Sequence, residues 1–129
     1  MINKFEKFIK IGNLIKESDD FLIVAHLNPD GDAICSVLAM GLMLEKLGKS
    51  VTMILPDEVP IQFDFLPDIN RINITRTLPK EIDALIILDC GDIKRVDFIR
   101  DSLTRAKRII NIDHHYTNNG YGTLSYIDE

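Results

Sequence analysis

Residues 21–33 read FLIVAHLNPDGDA: five consecutive apolar residues, Phe21 to Ala25, run straight into His26 and then into a turn carrying Asp30, Gly31 and Asp32. So short a run with no polar residue inside it is what a strand buried on both faces of a parallel sheet requires. The pattern recurs twice. Ala84 to Leu88 leads into Asp89, Cys90, Gly91 and Asp92, and Ile109 to Ile112 leads into Asp113, His114 and His115. Stretches of helical spacing separate these runs, and parallel neighbours need such crossovers, so the order predicts an α/β fold with a doubly wound, mainly parallel sheet. Ligands of such sheets sit beyond the carboxyl ends of the strands, so the three strand ends would aim their carboxylates and imidazoles at one crevice.

Outward from these strands, residues 4 to 17 place Phe5, Phe8, Ile9, Leu14 and Ile15 among Lys and Glu at helical spacing, with Asn3 as N-cap. Asp32 is expected to cap a second helix, Ala33 to Leu47, which Gly48 closes. Val51 to Leu55 reads as a strand. Pro56, Pro60 and Pro67 then restrict the chain to a short helical piece near Ile61 to Leu66. Arg71 to Thr75 is expected as a short edge strand and Lys94 to Ala106 as a helix, with Asp92 able to cap it. From Tyr116 the tail is rich in Asn and Gly until Leu124 to Ile127.

The 129 residues suit one domain, 1–129, with no room for a second. A composition 46% hydrophobic and 27% charged, without an apolar run of membrane-spanning length, predicts a soluble chain with no membrane partner. The charged residues near Met1 do not make a signal peptide, which places the chain in the cytoplasm. Cys35 and Cys90 are far apart and match no zinc spacing, so they read as buried thiols rather than a disulfide framework. A net charge of −5 argues against a duplex DNA partner, whose affinity would need excess Lys and Arg. Asp30, Asp32, Asp89, Asp92 and Asp113 would also repel phosphate from the crevice unless cations reversed the local sign.

Each motif alone is an ordinary turn or helix cap. The first lacks the alternating ligands of an EF-hand loop. In the second, Gly91 occupies the position where phosphoaspartyl phosphatases need another aspartate. Three such clusters, each directly after an apolar strand, are harder to assign to turn chemistry. Mixed Asp and His donors of this kind hold hard or borderline divalent cations for phosphate chemistry.

Taken together, His26-Leu27-Asn28-Pro29-Asp30-Gly31-Asp32-Ala33, Asp89-Cys90-Gly91-Asp92 and Asp113-His114-His115 resemble, in order and separation, the first three motifs of the DHH phosphoesterase superfamily. The resemblance covers residues 21 to about 122 and is strongest to the branch that degrades very short oligoribonucleotides and dephosphorylates 3′-phosphoadenosine 5′-phosphate. It implies a Rossmann-like domain binding two divalent cations, manganese first, with magnesium or cobalt as alternatives. It implies hydrolysis by a hydroxide bridging them. On that resemblance His26 and Asp30 hold one ion, Asp32 and His114 the other, and Asp89 bridges them. His115 contacts the scissile phosphate, supported by Asp113, which with Asp89 and His115 makes up the catalytic set. Asp92 and Asn28 orient ligands from behind, and Arg95 is a candidate phosphate contact within the basic cluster from Lys94 to Arg108, most of which reads as a solvated helix face.

Two departures stand out. Cys35 replaces a small glycine common in the family. No fourth-motif aspartate or basic C-terminal domain follows, since Asp128 is too near the triplet. The chain is therefore expected to be an incomplete catalytic unit, binding its second ion weakly and turning over slowly or not at all. Implied substrates are short single-stranded RNA or nucleotide phosphates, and a homodimer is left open. The alternatives are a pyrophosphate or polyphosphate hydrolase of the same superfamily, and a catalytically silent metal- or nucleotide-binding module.

Overall fold

Strands β1 (Asp20–Val24), β2 (Ser50–Ile54), β3 (Ala84–Leu88), β4 (Arg108–Asp113) and β5 (Leu124–Ile127) form a parallel sheet in the order β2-β1-β3-β4-β5. The computed structural model describes residues 3–74 and 78–129. Helices α1 (Lys4–Glu17) and α2 (Gly31–Lys46) pack on one face. The other face is covered by a 3-10 segment, Ile93–Ile99, and the short helix α3 (Arg100–Arg105). The doubly wound expectation is met, and its strand order reverses between β1 and β3, which puts the topological switch point at the ends of those two strands.

Alternation explains why the strands read as unbroken apolar runs. Phe21, Ile23, Ala84 and Ile86 join the core beneath α1 and α2, whereas Leu22, Val24, Leu85 and Ile87 join the core beneath the 93–105 segment. Both sides of β1 and β3 are therefore dry. Asn3 caps α1 through a reciprocal pair with Glu6. Gly48, at φ 77°, ends α2 in a left-handed turn, its N–H and that of Lys49 donating to Glu45 O and Leu44 O.

Four local expectations are corrected: of the two thiols expected to be buried, Cys90 is, whereas Cys35 is exposed on α2. The cap of α2 is Asp30, whose Oδ1 accepts from Ala33 N at 3.0 Å, so Asp32 lies inside the first turn with its carboxylate free to face outward. The predicted helix from Lys94 to Ala106 is instead a 3-10 segment, Ile93–Ile99, kinked at Val96 (φ −115°, ψ 21°), followed by the short α3. Instead of an edge strand at Arg71–Thr75, a 3-10 turn occupies Ile69–Arg71 and Asn73 makes a single parallel bridge to Ile54. Thr75 lies outside the described residues.

Strand β5 was not anticipated, because its parallel crossover contains no helix. Residues 114–123 instead cross as a strap fastened by polar contacts. Buried Asn111 donates to Tyr121 Oη at 3.1 Å, Tyr121 donates to Cys90 O at 2.7 Å, and Ile109 N donates to Thr123 Oγ1 at 2.9 Å. A Cβ on Gly122 would come within 2.9 Å of Ile109 O, so only glycine lets the strap lie this close to β4.

At the opposite end of the sheet, Asp83 accepts from Asp19 N and Asp20 N and pairs with Lys107 at 2.6 Å. Lys107 first, then the two backbone donors, lower the Asp83 pKa to about 2. The folded value lies below the ordinary 3.8, so the stabilisation is complete above that pH and disappears as pH falls through about 2. Asp83→Asn is expected to be less stable than the parent at pH 7, with the difference closing as pH falls through about 2, as read by urea midpoints across that range.

Candidate metal centre

Three loops meet beyond β1, β3 and β4. The first supplies His26, Asp30 and Asp32, the second Asp89, and the third Asp113, His114 and His115. Asp89 follows β3 directly with φ 51°, a left-handed conformation uncommon for a residue other than glycine. Such local strain is often retained at functional sites.

The Asp89 carboxylate is 6% exposed, and its ion-pair partners among the described residues are histidines, with no Lys or Arg. Its two oxygens face different groups. Oδ2 lies 3.5 Å from His26 Nε2, which is 3.9 Å from Asp30 Oδ1. Oδ1 lies 3.0 Å from His114 Nε2, which is 3.5 Å from Asp32 Oδ2. Burial, followed by the charge of Asp32, pushes the Asp89 pKa up, the signature of a carboxylate short of positive charge. Imidazoles and carboxylates with ligand atoms within 4.8 Å of one another suit a divalent cation in both chemistry and spacing.

The surroundings orient these donors. His26 Nδ1 lies 2.6 Å from Leu27 O, and when that nitrogen carries the proton, Nε2 keeps its lone pair toward Asp30 and Asp89. Arg95 Nη2 donates to the same carbonyl at 3.0 Å, so this guanidinium braces the β1 loop. On the other side, His115 Nδ1 is 2.6 Å from Asp113 Oδ1. Burial pushes Asp113 up, but hydrogen bonds from Asn118 and His115 outweigh it and hold the carboxyl below its usual range. The same bond to Asp113 raises the His115 pKa.

The structure thus brings together His26, Asp30, Asp32, Asp89, Asp113, His114 and His115. Asp92 instead caps the 3-10 segment, its Oδ1 accepting from Lys94 N at 2.9 Å. Asn28 is an exposed turn residue at φ 51° whose backbone N–H donates to Asp57 Oδ2. Neither side chain hydrogen-bonds to the cluster among the described residues. Sequence reasoning missed Asn118, which sits between the second and third loops; a polar Asn111 inside an otherwise apolar strand was the available signal of a partner there. It also missed Tyr126, which with Leu88 and Ile112 gives the adjoining cleft of about 280 Å³ an apolar side opposite Asp32 and His114.

Residues 20–129 match the model of the DHH family, N-terminal domain. The chain belongs to the DHH family. Among curated DHH relatives, the bifunctional oligoribonuclease and PAP phosphatase NrnA of Thermus thermophilus is 31% identical over 126 residues, 96% of this chain and 37% of that protein. A probable manganese-dependent inorganic pyrophosphatase of Bacillus cereus is 27% identical over 97 residues, 73% of this chain and 30% of that protein. The crystal structure of an exopolyphosphatase-related protein from Bacteroides fragilis superposes with a TM-score of 0.85 at 27% identity, covering 95% of this chain and 38% of that one. The chain therefore spans 30–38% of the length of these relatives. Among its described residues, no helix is long and apolar enough to cross a membrane.

Proposed function

We propose that this DHH domain is the metal-binding catalytic part of a cytoplasmic phosphoesterase acting on short oligoribonucleotides or 3′-phosphoadenosine 5′-phosphate. The observation that carries the reading is the division of the Asp89 carboxylate between the His26–Asp30 and His114–Asp32 groups. Two divalent cations held there would lower the pKa of a shared water and neutralise the phosphoryl oxygens. Imidazole donors among the carboxylates favour manganese over magnesium or calcium.

The chain's own residues supply the rest. Asp30 and Asp32 sit at the N-terminus of α2, where the helix dipole favours negative charge. Asp89, held at the switch point, spans both groups. His115, fixed by Asp113, presents its other face toward the phosphoryl group. Gly91 gives that ring room, because a Cβ there would lie 3.0 Å from His115 Cβ and 3.3 Å from Cγ. Gly91→Ala is expected to lower kcat/KM for phosphoester hydrolysis about tenfold or more through this displacement, with KM nearly unchanged. Steady-state kinetics check it.

A pyrophosphatase reading draws support from the Bacillus relative. Both readings are tested by release of nucleoside monophosphate from short RNA, and of phosphate from 3′-phosphoadenosine 5′-phosphate and pyrophosphate, with Mn2+, for the parent, Asp89→Ala and His114→Ala. Manganese-dependent release that both substitutions abolish is expected, and its ranking over the three substrates chooses the reading. Release that survives chelation, or is unchanged in both variants, would overturn the assignment.

A further inference from the structure

We infer that Asn118 is a positioning residue of the metal centre: its side-chain amide ties the end of β3 to the Asp113–His115 pair and so sets where the donors around Asp89 stand. The inference rests on the two-cation reading above and adds to it a part that no ligand role covers. Asn118 Nδ2 lies 2.6 Å from Asp113 Oδ2, 2.7 Å from Asn111 Oδ1 and 3.2 Å from Cys90 O. Two amide hydrogens serve these three acceptors, so one of them is shared. Cys90 is the neighbour of Asp89, and Asp113 is the carboxylate whose other oxygen holds His115 at 2.6 Å. One amide thus touches β4 and the end of β3, two of the three strands that carry the centre.

The geometry separates two jobs within this side chain. Oδ1 accepts from Gly120 N at 2.8 Å, which forms the turn of the strap. Nδ2 makes all three contacts toward the centre. Asp113 is buried, and without the amide its Oδ2 loses the side-chain donor that fixes the carboxylate plane. His115 would then turn with it, within a cluster where Asp89, Asp113, His114 and His115 offer atoms inside 4.8 Å. Through Cys90 O the same amide also holds the backbone next to Asp89, the ligand shared by both donor groups, and losing a group that orients a metal ligand weakens metal affinity by roughly 10–100-fold.

Serine distinguishes the jobs, since its hydroxyl can still accept from Gly120 N but cannot supply an amide's two donors. The experiment is Mn2+ titration by calorimetry of the parent, Asn118→Ala and Asn118→Ser, each paired with a metal-free unfolding curve. Both variants are expected to fold and to bind Mn2+ about 10–100-fold more weakly than the parent. If Asn118→Ser binds within twofold of the parent, the residue only shapes the strap and the inference falls. Should neither variant fold, the parent's Asn118 side-chain NH2 protons decide: slow solvent exchange in NMR spectra supports the amide tie, and exchange as fast as an exposed amide overturns it. A parent that binds no Mn2+ removes the two-cation reading and this inference with it, whereas a binding parent with unimpaired variants removes this inference alone.

Discussion

Asp89→Asn is expected to remove Mn2+ binding and phosphoester turnover together while making the metal-free protein more stable. The loss follows from position, because both histidine–carboxylate groups depend on this one side chain. Several kcal/mol of charge stabilisation are at stake, and each ~1.4 kcal/mol is tenfold, so turnover should fall at least about 10²–10³-fold. The gain has two causes. A buried carboxylate pushed up by burial and by Asp32 becomes a neutral amide of the same shape, and a left-handed φ of 51° suits Asn well. About 1 kcal/mol would raise the metal-free Tm by roughly 3–5 °C in a domain of this length. The parent, by contrast, should gain about 2.7 kcal/mol from Mn2+ at 100 times its Kd, and the variant none. Thermal scans with and without Mn2+ read both effects, and a variant still stabilised by Mn2+ would contradict the bridging role.

Ile86→Ala carries the second large effect, this time on the fold. Ile86 is fully buried at the centre of β3, beneath α1 and α2, and pairs in register with Ile23 and Ile110. Truncation removes transfer energy and leaves a cavity between strands that cannot close, at a cost of about 3–4 kcal/mol. Urea midpoints should fall accordingly. Ile61→Ala, at a residue 82% exposed, should move stability by no more than ~0.5 kcal/mol. Equal effects at the two positions would show that β3 is not the central buried strand.

How far the sequence could be read depended on burial. Strand β3 runs from Ala84 to Leu88 as expected, since a strand dry on both faces leaves no ambiguity of period. Strand β5 was invisible for the opposite reason: Leu124, Ser125, Tyr126 and Ile127 are all half-buried at an edge, and no helix precedes them. The cap of α2 was misplaced by two residues because Asp30 and Asp32 are both good caps, and only the extended backbone at Asp30 (ψ −175°) decides between them. That choice matters for the centre, for it leaves Asp32 facing His114 rather than bound to its own helix end.

Among the chemical residues, the histidines and aspartates at strand ends were legible because residue type and position pointed the same way. Arg95 was read as a phosphate contact, and the structure places it against Leu27 O and His26. Asn118 carries no chemistry of its own, and its importance arises from a strap that replaces the usual crossover helix. A tertiary device of that kind leaves no periodic trace in sequence.

Crystals grown with Mn2+ and measured at the manganese absorption edge test the central claim most directly. Two anomalous peaks roughly 3.5–4 Å apart are expected, one beside Asp89 Oδ2 with His26 and Asp30, the other beside Asp89 Oδ1 with His114 and Asp32. A single peak that Asp89 does not touch, or no peak within reach of both histidines at saturating Mn2+, would contradict it.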